Sequence, residues 1–181
     1  MNTEAARTAE HQNLAVAIPC LVAALGGLLF GYDTAVISGA IGFLVRHFSL
    51  TPAMEGWAAA SALFGCVLGS AVGGPLGDRW GRRTALRLAA VLFLVSAIGT
   101  ALPRSLAEFV VYRALGGVGV GIAALTSPVY IAEIALPQHR GRLVSWNQMA
   151  IVIGMLVVYF VNWSIAHAGD LEWNTRVGWR W

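Results

Sequence analysis

The sequence contains no lysine, so arginine supplies all twelve of its basic residues. Charged residues make up only 12% of the chain. Soluble domains carry about twice that share, which argues against a disordered chain or an ordinary water-soluble domain. The arginines are scattered between apolar runs and do not concentrate on one face, which argues against a nucleic-acid partner.

Cysteine is also scarce. Cys20 and Cys66 both lie within apolar runs, and two cysteines are too few for a disulfide framework or a zinc site. We interpret them as small packing residues. No metal site or cofactor is predicted, and no nucleophile–base pair stands out, so an enzyme is the least expected class.

Hydrophobic residues, by contrast, make up 57% of the 181 residues, and the mean hydropathy is +0.69. A membrane-spanning helix needs about 20 mostly apolar residues, and the apolar runs predict five such helices. Residues 1–13 are polar and lack the features of a signal peptide, so we expect a cytoplasmic tail before the first span. The predicted spans are residues 14–45, 56–76, 84–102, 106–134 and 143–166.

The positions of the arginines predict how these spans are oriented, because basic loops stay in the cytoplasm. With the N-terminus inside, seven arginines lie on the cytoplasmic side, four lie outside and Arg113 lies within the membrane. Span two also carries a small residue at every fourth position, which predicts a close helix contact. These residues are Ser61, Gly65, Gly69, Gly73 and Gly77.

Two ionisable residues lie where lipid is expected. Asp33 is about 16 Å and Arg113 about 10 Å from the outer ends of their predicted spans, so their depths are compatible with an ion pair. Such groups usually face a partner or a water-filled path. A static bridge is one interpretation, and a shorter first span that ends near Asp33 is another. The functional interpretation is proton coupling, because a carboxylate takes up a proton more readily once a neighbouring guanidinium moves away.

Span five carries a stripe of residues on one helix face, with spacings of four and three. Three of the five side chains can form hydrogen bonds. The stripe therefore suits a hydroxyl-rich solute, or it supplies hydrogen bonds between helices, and the spacing leaves both interpretations open. It consists of Gln148, Val152, Met155, Tyr159 and Asn162.

Charged residues also gather at the predicted inner ends of spans two to five. A simple basic loop that fixes the topology would explain them. They would also suit a network that holds one conformation closed, although single surface ion pairs are weak. The candidates are Asp78, Arg82, Arg83, Glu133 and Arg140.

Three segments of the sequence carry recognisable motifs. Residues 74–83 (GPLGDRWGRR) are similar to the loop after the second helix in the major facilitator superfamily. Residues 30–39 (FGYDTAVISG) are similar to the first helix of its sugar porter family. Residues 128–135 (PVYIAEIA), with Arg140-Gly141 and Asn147-Gln148 after them, resemble its second signature. The C-terminal part looks closest to bacterial xylose and hexose–proton symporters.

The resemblance implies an N-terminal fragment of a transporter with two six-helix halves. It holds five spans and, at residues 178–181, the start of a sixth helix. In such transporters the sugar binds between the halves, which rock to give alternating access. The resemblance makes Asp33 the proton carrier and Arg113 its partner. The inner charges become a network that stabilises the outward-facing state.

For the sugar, the resemblance implies contacts from Phe30 and Gln148, and we add Met155 and Asn162 from the stripe. Met155 is a departure, because xylose symporters carry a second glutamine there. A methionine cannot donate a hydrogen bond to a sugar hydroxyl, which favours another hexose or pentose.

We therefore expect a full-length protein that carries a monosaccharide with a proton across the bacterial inner membrane. Its partners are the sugar, the proton, the lipid bilayer and a missing C-terminal half, without which the fragment is not expected to transport. The alternatives are a sugar facilitator or another major facilitator antiporter. From a different class, a membrane sugar sensor that moves no solute is the third hypothesis.

Overall fold

The computed structural model describes the backbone of residues 3–180 and the side chains of residues 24–180. The side chains of the predicted N-terminal tail, that of Cys20 and the whole of Trp181 lie outside the described residues. All regular secondary structure in the described part is helical. The helices are α1 (Thr3–Phe48), α2 (Pro52–Trp80), α3 (Arg82–Ala101), α4 (Leu106–Ile134), α5 (Arg140–Ala168) and α6 (Leu171–Arg176), and a 3-10 turn at Gly178–Arg180 follows.

Five helices are long and apolar enough to cross a membrane, namely α1 from Ala24 onward and the whole of α2, α3, α4 and α5. The prediction of an all-α membrane protein with five spans is confirmed. α4 has the predicted bounds, whereas α2 runs over 52–80 instead of 56–76 and α5 over 140–168 instead of 143–166. Hydropathy marks only the apolar part of a helix, while its backbone hydrogen bonds continue into the polar ends.

Towards both ends of the chain, helical structure extends beyond the predicted spans. The backbone from Thr3 to residue 13, predicted as a tail, continues α1 without a break. After α5, the short helix α6 occupies Leu171–Arg176. The predicted start of a sixth helix at 178–181 coincides with the 3-10 turn at Gly178–Arg180. That this turn begins a further span stays a prediction.

α4 is the centre of the bundle. In the most apolar stretch of α4, 56% of the residues are buried, against at most 22% in any other span. It packs mainly against α2 and α3, while α1 packs mainly against α5. The described bundle therefore consists of a three-helix unit, α2–α3–α4, and a two-helix unit, α1–α5, which meet where α1 crosses α4.

Glycines set the distances inside both units. All five small residues predicted for span two are buried, and a Cβ on Gly69 would collide with the backbone carbonyl of Val118 on α4. In the other unit, a Cβ on Gly31 would collide with the carbonyl of Ile151 on α5. Small residues let helix backbones approach closely in a membrane. The predicted close contact of span two is thus confirmed, and α4 is its partner.

The bundle has two ends, which we name by a residue at each. At the Trp179 end, Trp179 is buried against Leu44, Ala58 and Phe109, so that the connection after α5 covers α1, α2 and α4. At the Arg82 end, α2 turns into α3 at Gly81, whose φ of +86° favours glycine. This turn brings the charged residues of α2 and α3 together.

Candidate functional site

Asp33 and Arg113 form an ion pair where the two units meet. Nη1 of Arg113 donates to Oδ1 of Asp33 at 2.7 Å, and Nη2 donates to the backbone carbonyl of Asp33 at 3.3 Å. The Arg113 side chain is only 6% exposed and that of Asp33 is 20% exposed. The structure thus brings together the two side chains whose depths predicted a pair. Their role in proton coupling stays a prediction.

The local packing explains why the arginine reaches the aspartate. Immediately after Arg113 on α4, Gly116 packs against Ser96 of α3 and Gly117 against the backbone of Ala62 on α2. These contacts hold α4 close to both neighbours and leave the guanidinium directed at α1. Breaking such a buried pair leaves an uncompensated charge and typically costs about 3–5 kcal/mol.

A cavity of about 440 Å³ lies beside the ion pair, between α1, α3 and α4. We call it the Asp33 cavity. Most of its wall is apolar, and the 3-10 turn at Gly178–Arg180 reaches it. Sequence reasoning did not identify the polar or aromatic lining residues other than the ion pair. They are Tyr32, Phe93, Ser96, Thr100, Phe109, Trp179 and Arg180.

The spacing of two of these missed residues could have revealed them. Ser96 and Thr100 are one helical turn apart in an otherwise apolar span, and such polar residues usually face other helices. The Thr100 hydroxyl donates to the carbonyl of Ser96 at 2.8 Å, so it is internally satisfied. For Trp179 and Arg180 no comparable sequence signal exists, because their placement depends on how the connection after α5 folds.

The predicted sugar contacts lie on another surface of the bundle, since none of them lines the Asp33 cavity. Gln148 is exposed, and Phe30 and Met155 are half-buried. The side-chain amide of Asn162 donates to the carbonyl of Val36 on α1 at 3.4 Å. For Asn162, this bond supports the interpretation of the stripe as interhelical hydrogen bonding.

At the Arg82 end, three predicted charges form one cluster. Nη1 of Arg82 lies 2.7 Å from Oδ1 of Asp78, and Nε of Arg82 lies 3.1 Å from Oε1 of Glu133. One guanidinium therefore ties together α2, α3 and α4. Gly77 allows this approach, because a Cβ there would come within 2.7 Å of Nη1 of Arg82.

The other two predicted members of this cluster behave differently. Nε of Arg83 donates to the hydroxyl of Tyr130 at 2.9 Å. Sequence reasoning missed Tyr130, although it lies one helical turn before Glu133. Arg140 is exposed, and it forms no ion pair with any of the described side chains.

Comparison with known proteins shows which protein family the chain is similar to. The family model described as "Sugar (and other) transporter" matches residues 19–181. The chain is 46% identical over 187 residues to the D-xylose-proton symporter of Escherichia coli K12, covering 89% of this chain and 38% of the relative. It is 44% identical over 174 residues to the arabinose-proton symporter of Bacillus subtilis 168, covering 96% of this chain and 38% of the relative.

A solved structure agrees with these relatives. The structure of the major facilitator superfamily proton:xylose symporter XylE bound to 6-bromo-6-deoxy-D-glucose superposes with a TM-score of 0.87 at 46% identity. The match covers 91% of this chain and 40% of that chain. The chain thus spans about two fifths of the length of the proteins it matches.

Proposed function

Because the chain belongs to the sugar transporter family of the major facilitator superfamily, we propose that its full-length protein carries a monosaccharide and a proton together across the membrane. The chain corresponds to the N-terminal part of such a transporter and is a multi-pass membrane protein. Since it spans 38% of its relatives, transport belongs to the full-length protein. The C-terminal half is the partner that this chain requires, and neither an enzymatic activity nor a cofactor besides the proton is expected.

The observation that carries the proposal is the ion pair between Asp33 and Arg113. Its carboxylate oxygen Oδ1 lies beside the Asp33 cavity, so a proton that enters the cavity has a base to bind. Protonation neutralises the carboxylate and removes its attraction for the guanidinium. The link between α1 and α4 then weakens, and the two units of the bundle become free to shift. Proton binding is thereby coupled to a change of conformation.

The sugar would bind against α1 and α5, on the surface that carries Phe30, Gln148 and Met155. The Gln148 amide is exposed there and offers a donor and an acceptor to sugar hydroxyls. Phe30 and Met155 are half-buried and would contact the apolar face of the ring. Asn162 would take part only if its bond to Val36 opened. In this family of folds the substrate lies between the two halves near the midplane, so the missing half would supply the other wall.

The Arg82 end would stabilise one conformation of the transporter. Arg82 bridges Asp78 and Glu133 across three helices. The three charges form a network, which can stabilise a conformation more than an isolated surface ion pair does. Arg140, exposed at the start of α5, would join this network once α5 and α4 come closer at this end. We place the protein in a bacterial inner membrane, with the Arg82 end and the N-terminus on the cytoplasmic side, because the arginine-rich turns lie at this end.

The test is the replacement of Asp33 by Asn in the full-length protein. Lightly buffered cells that express the wild type should alkalinise the medium when xylose, arabinose or glucose is added. D33N should abolish this alkalinisation and the accumulation of sugar, while counterflow of preloaded sugar continues. Glu172→Gln, which removes a carboxylate from the exposed pair with Arg176, is the matched control and should behave like the wild type.

Two outcomes would contradict the proposal. Accumulation that is unchanged in D33N would exclude Asp33 as the proton carrier. Sugar uptake by the wild type without any alkalinisation would show facilitated diffusion in place of symport.

A further inference from the structure

Two adjacent glycines of α1, Gly26 and Gly27, lie where this helix passes between α4 and α5. A Cβ on Gly26 would come within 2.9 Å of Oγ of Ser127 on α4. A Cβ on Gly27 would come within 2.8 Å of the backbone carbonyl oxygen of Asn147 on α5 and within 2.9 Å of its Oδ1. Ser127 is 1% exposed and Asn147 is 3% exposed. At this level α1 is therefore held between two buried polar residues, one from each unit of the bundle.

The contact between Asn147 and α1 is one of shape and not of hydrogen bonding. Oδ1 of Asn147 accepts no hydrogen bond within the described part of the chain. At the other end of the same helix pair, by contrast, Asn162 donates to the carbonyl of Val36. A buried amide with an unused acceptor lowers stability, so stability does not explain why an asparagine lies here.

The same contact determines the place of Gln148, the next residue on α5. Neighbouring residues on a helix are about 100° apart, so Gln148 faces outward when Asn147 faces α1, and Gln148 is exposed. Further along α5, a second close contact joins Ile151 to Gly31. Among the contacts that glycines of α1 make with α5, the one at Asn147 lies nearest to Gln148.

A side chain added at Gly27 would displace α5 and not α1. On its other side, α1 is backed by the buried Ser127 of α4. The face of α5 that points away from Asn147 carries Met149 and Leu156, which are exposed. No described helix behind this face therefore resists a movement of α5 away from α1.

We propose that Asn147 is a positioning residue for sugar binding. Through its contact with Gly27 it sets the distance between α5 and α1, and thereby the place of the Gln148 amide relative to Phe30. This rests on the proposed function, in which Gln148 and Phe30 contact the sugar. Asn147 itself does not reach the sugar, because it is buried against α1. Its close fit on a glycine backbone defines the distance between the helices more sharply than a contact between two long side chains would.

The distances give the scale of the effect. Ordinary van der Waals contact begins at 3.4 Å, so a methyl group on Gly27 would push the carbonyl of Asn147 away by about 0.6 Å. A hydrogen bond of about 2.9 Å that is lengthened by this amount lies outside the usual range of about 2.7–3.2 Å. The Gln148 amide would then lose a hydrogen bond to the sugar. Loss of one such bond between uncharged groups lowers affinity about five- to tenfold.

The experiment measures the Kd of the purified full-length protein for xylose, arabinose and glucose by isothermal titration calorimetry in dodecylmaltoside. Gly27→Ala should raise the Kd for the sugar that the wild type binds by about five- to tenfold. Gly69→Ala, which causes a backbone collision of the same kind inside the three-helix unit, is the matched control and should leave the Kd unchanged. In a Gln148→Ala background, Gly27→Ala should have no further effect, because the contact that it displaces is already gone.

The possible results separate this inference from the proposed function. If Gly27→Ala leaves the Kd unchanged, or raises it as much in the Gln148→Ala background as in the wild type, Asn147 does not position Gln148. An equal rise in Gly69→Ala would assign the effect to a general loss of stability and overturn the inference. If the wild type binds none of the three sugars, or if Gln148→Ala leaves the Kd unchanged, the proposed sugar site fails and this inference fails with it.

A second variant decides if Gly27→Ala is not inserted into the membrane. Asn147→Leu enlarges the same contact from the α5 side, at the tip of a side chain, and leaves the α1 backbone untouched. It should raise the Kd in the wild-type background and leave it unchanged in the Gln148→Ala background. A Kd equal to that of the wild type in Asn147→Leu would overturn the inference.

Discussion

Removing Arg113 while keeping Asp33 should destabilise the protein much more than removing both charges. Arg113→Gln keeps a polar side chain but takes away the cation that compensates the Asp33 carboxylate at 2.7 Å. Asp33→Asn combined with Arg113→Gln replaces the ion pair by two neutral amides of similar size. The first variant leaves the Asp33 carboxylate without a compensating cation, and the second leaves no charge at this site.

The magnitude follows from the burial of the pair. Loss of one partner of a buried pair costs about 3–5 kcal/mol, and we expect about 3 kcal/mol because the Asp33 side chain retains 20% exposure. The double variant should lie within about 1 kcal/mol of the wild type, because neutral polar groups that stay hydrogen-bonded cost little. In Arg113→Gln the loss should shrink as the pH falls, since protonation removes the uncompensated charge. The double variant should show no such pH dependence.

The assay is unfolding of the full-length protein in mixed micelles of dodecylmaltoside and SDS, followed by tryptophan fluorescence at several pH values. The double-variant cycle gives the coupling free energy of the pair. Equal stability of R113Q and the wild type would refute the reasoning, because the carboxylate would then be solvated without its partner. A double variant as unstable as R113Q would also refute it, since the arginine would then stabilise the fold by packing alone.

Two further predictions concern the packing of α4. Gly69→Ala should lower the free energy of unfolding in the same mixed micelles by about 1–3 kcal/mol, because its Cβ meets the α4 backbone, which cannot rotate away. Gly56→Ala, with open space around its Cβ, is the control. Equal losses in the two variants would contradict the close contact. Tyr130→Phe removes only the acceptor for Nε of Arg83 at 2.9 Å and should lower stability by about 0.5–1.5 kcal/mol. Replacing Arg83 by Gln should make Y130F neutral, and additive losses would show that the bond contributes nothing.

The number of membrane spans, the bounds of α4 and the small-residue face of α2 could be predicted because each depends on one helix alone. Apolar length gives the spans, and a spacing of four gives one face. The pairing of Asp33 with Arg113 was also accessible, since depth along a helix follows from residue number. The rotation of one helix against another does not follow from the residue number. For that reason Ser96 and Tyr130 were missed, and the bond from Asn162 to Val36 could not be distinguished from a sugar contact.

The pattern of charges had a similar limit at the two ends of the bundle. The sequence placed Arg82 and Glu133 at the same side of the membrane, and the structure brings them to 3.1 Å. It placed Arg180 at the start of a further helix with no partner in view. Its position at the Asp33 cavity results from the anchoring of Trp179 among residues of three other helices. Such a contact depends on the tertiary fold and leaves no local pattern.

The ion pair and the glycine faces have different mechanical roles. Gly69 on α2 and Gly117 on α4 fix contacts inside the three-helix unit, and Gly31 fixes the contact of α1 with α5. Asp33 and Arg113 instead join α1 to α4, one residue in each unit. Substitutions of the glycines should therefore damage the units themselves. Neutral replacement of both charges should leave the units intact and change only how they are held together. If D33N/R113Q unfolds as stably as the wild type but no longer accumulates sugar, the pair serves the movement between units and is not needed to hold the fold.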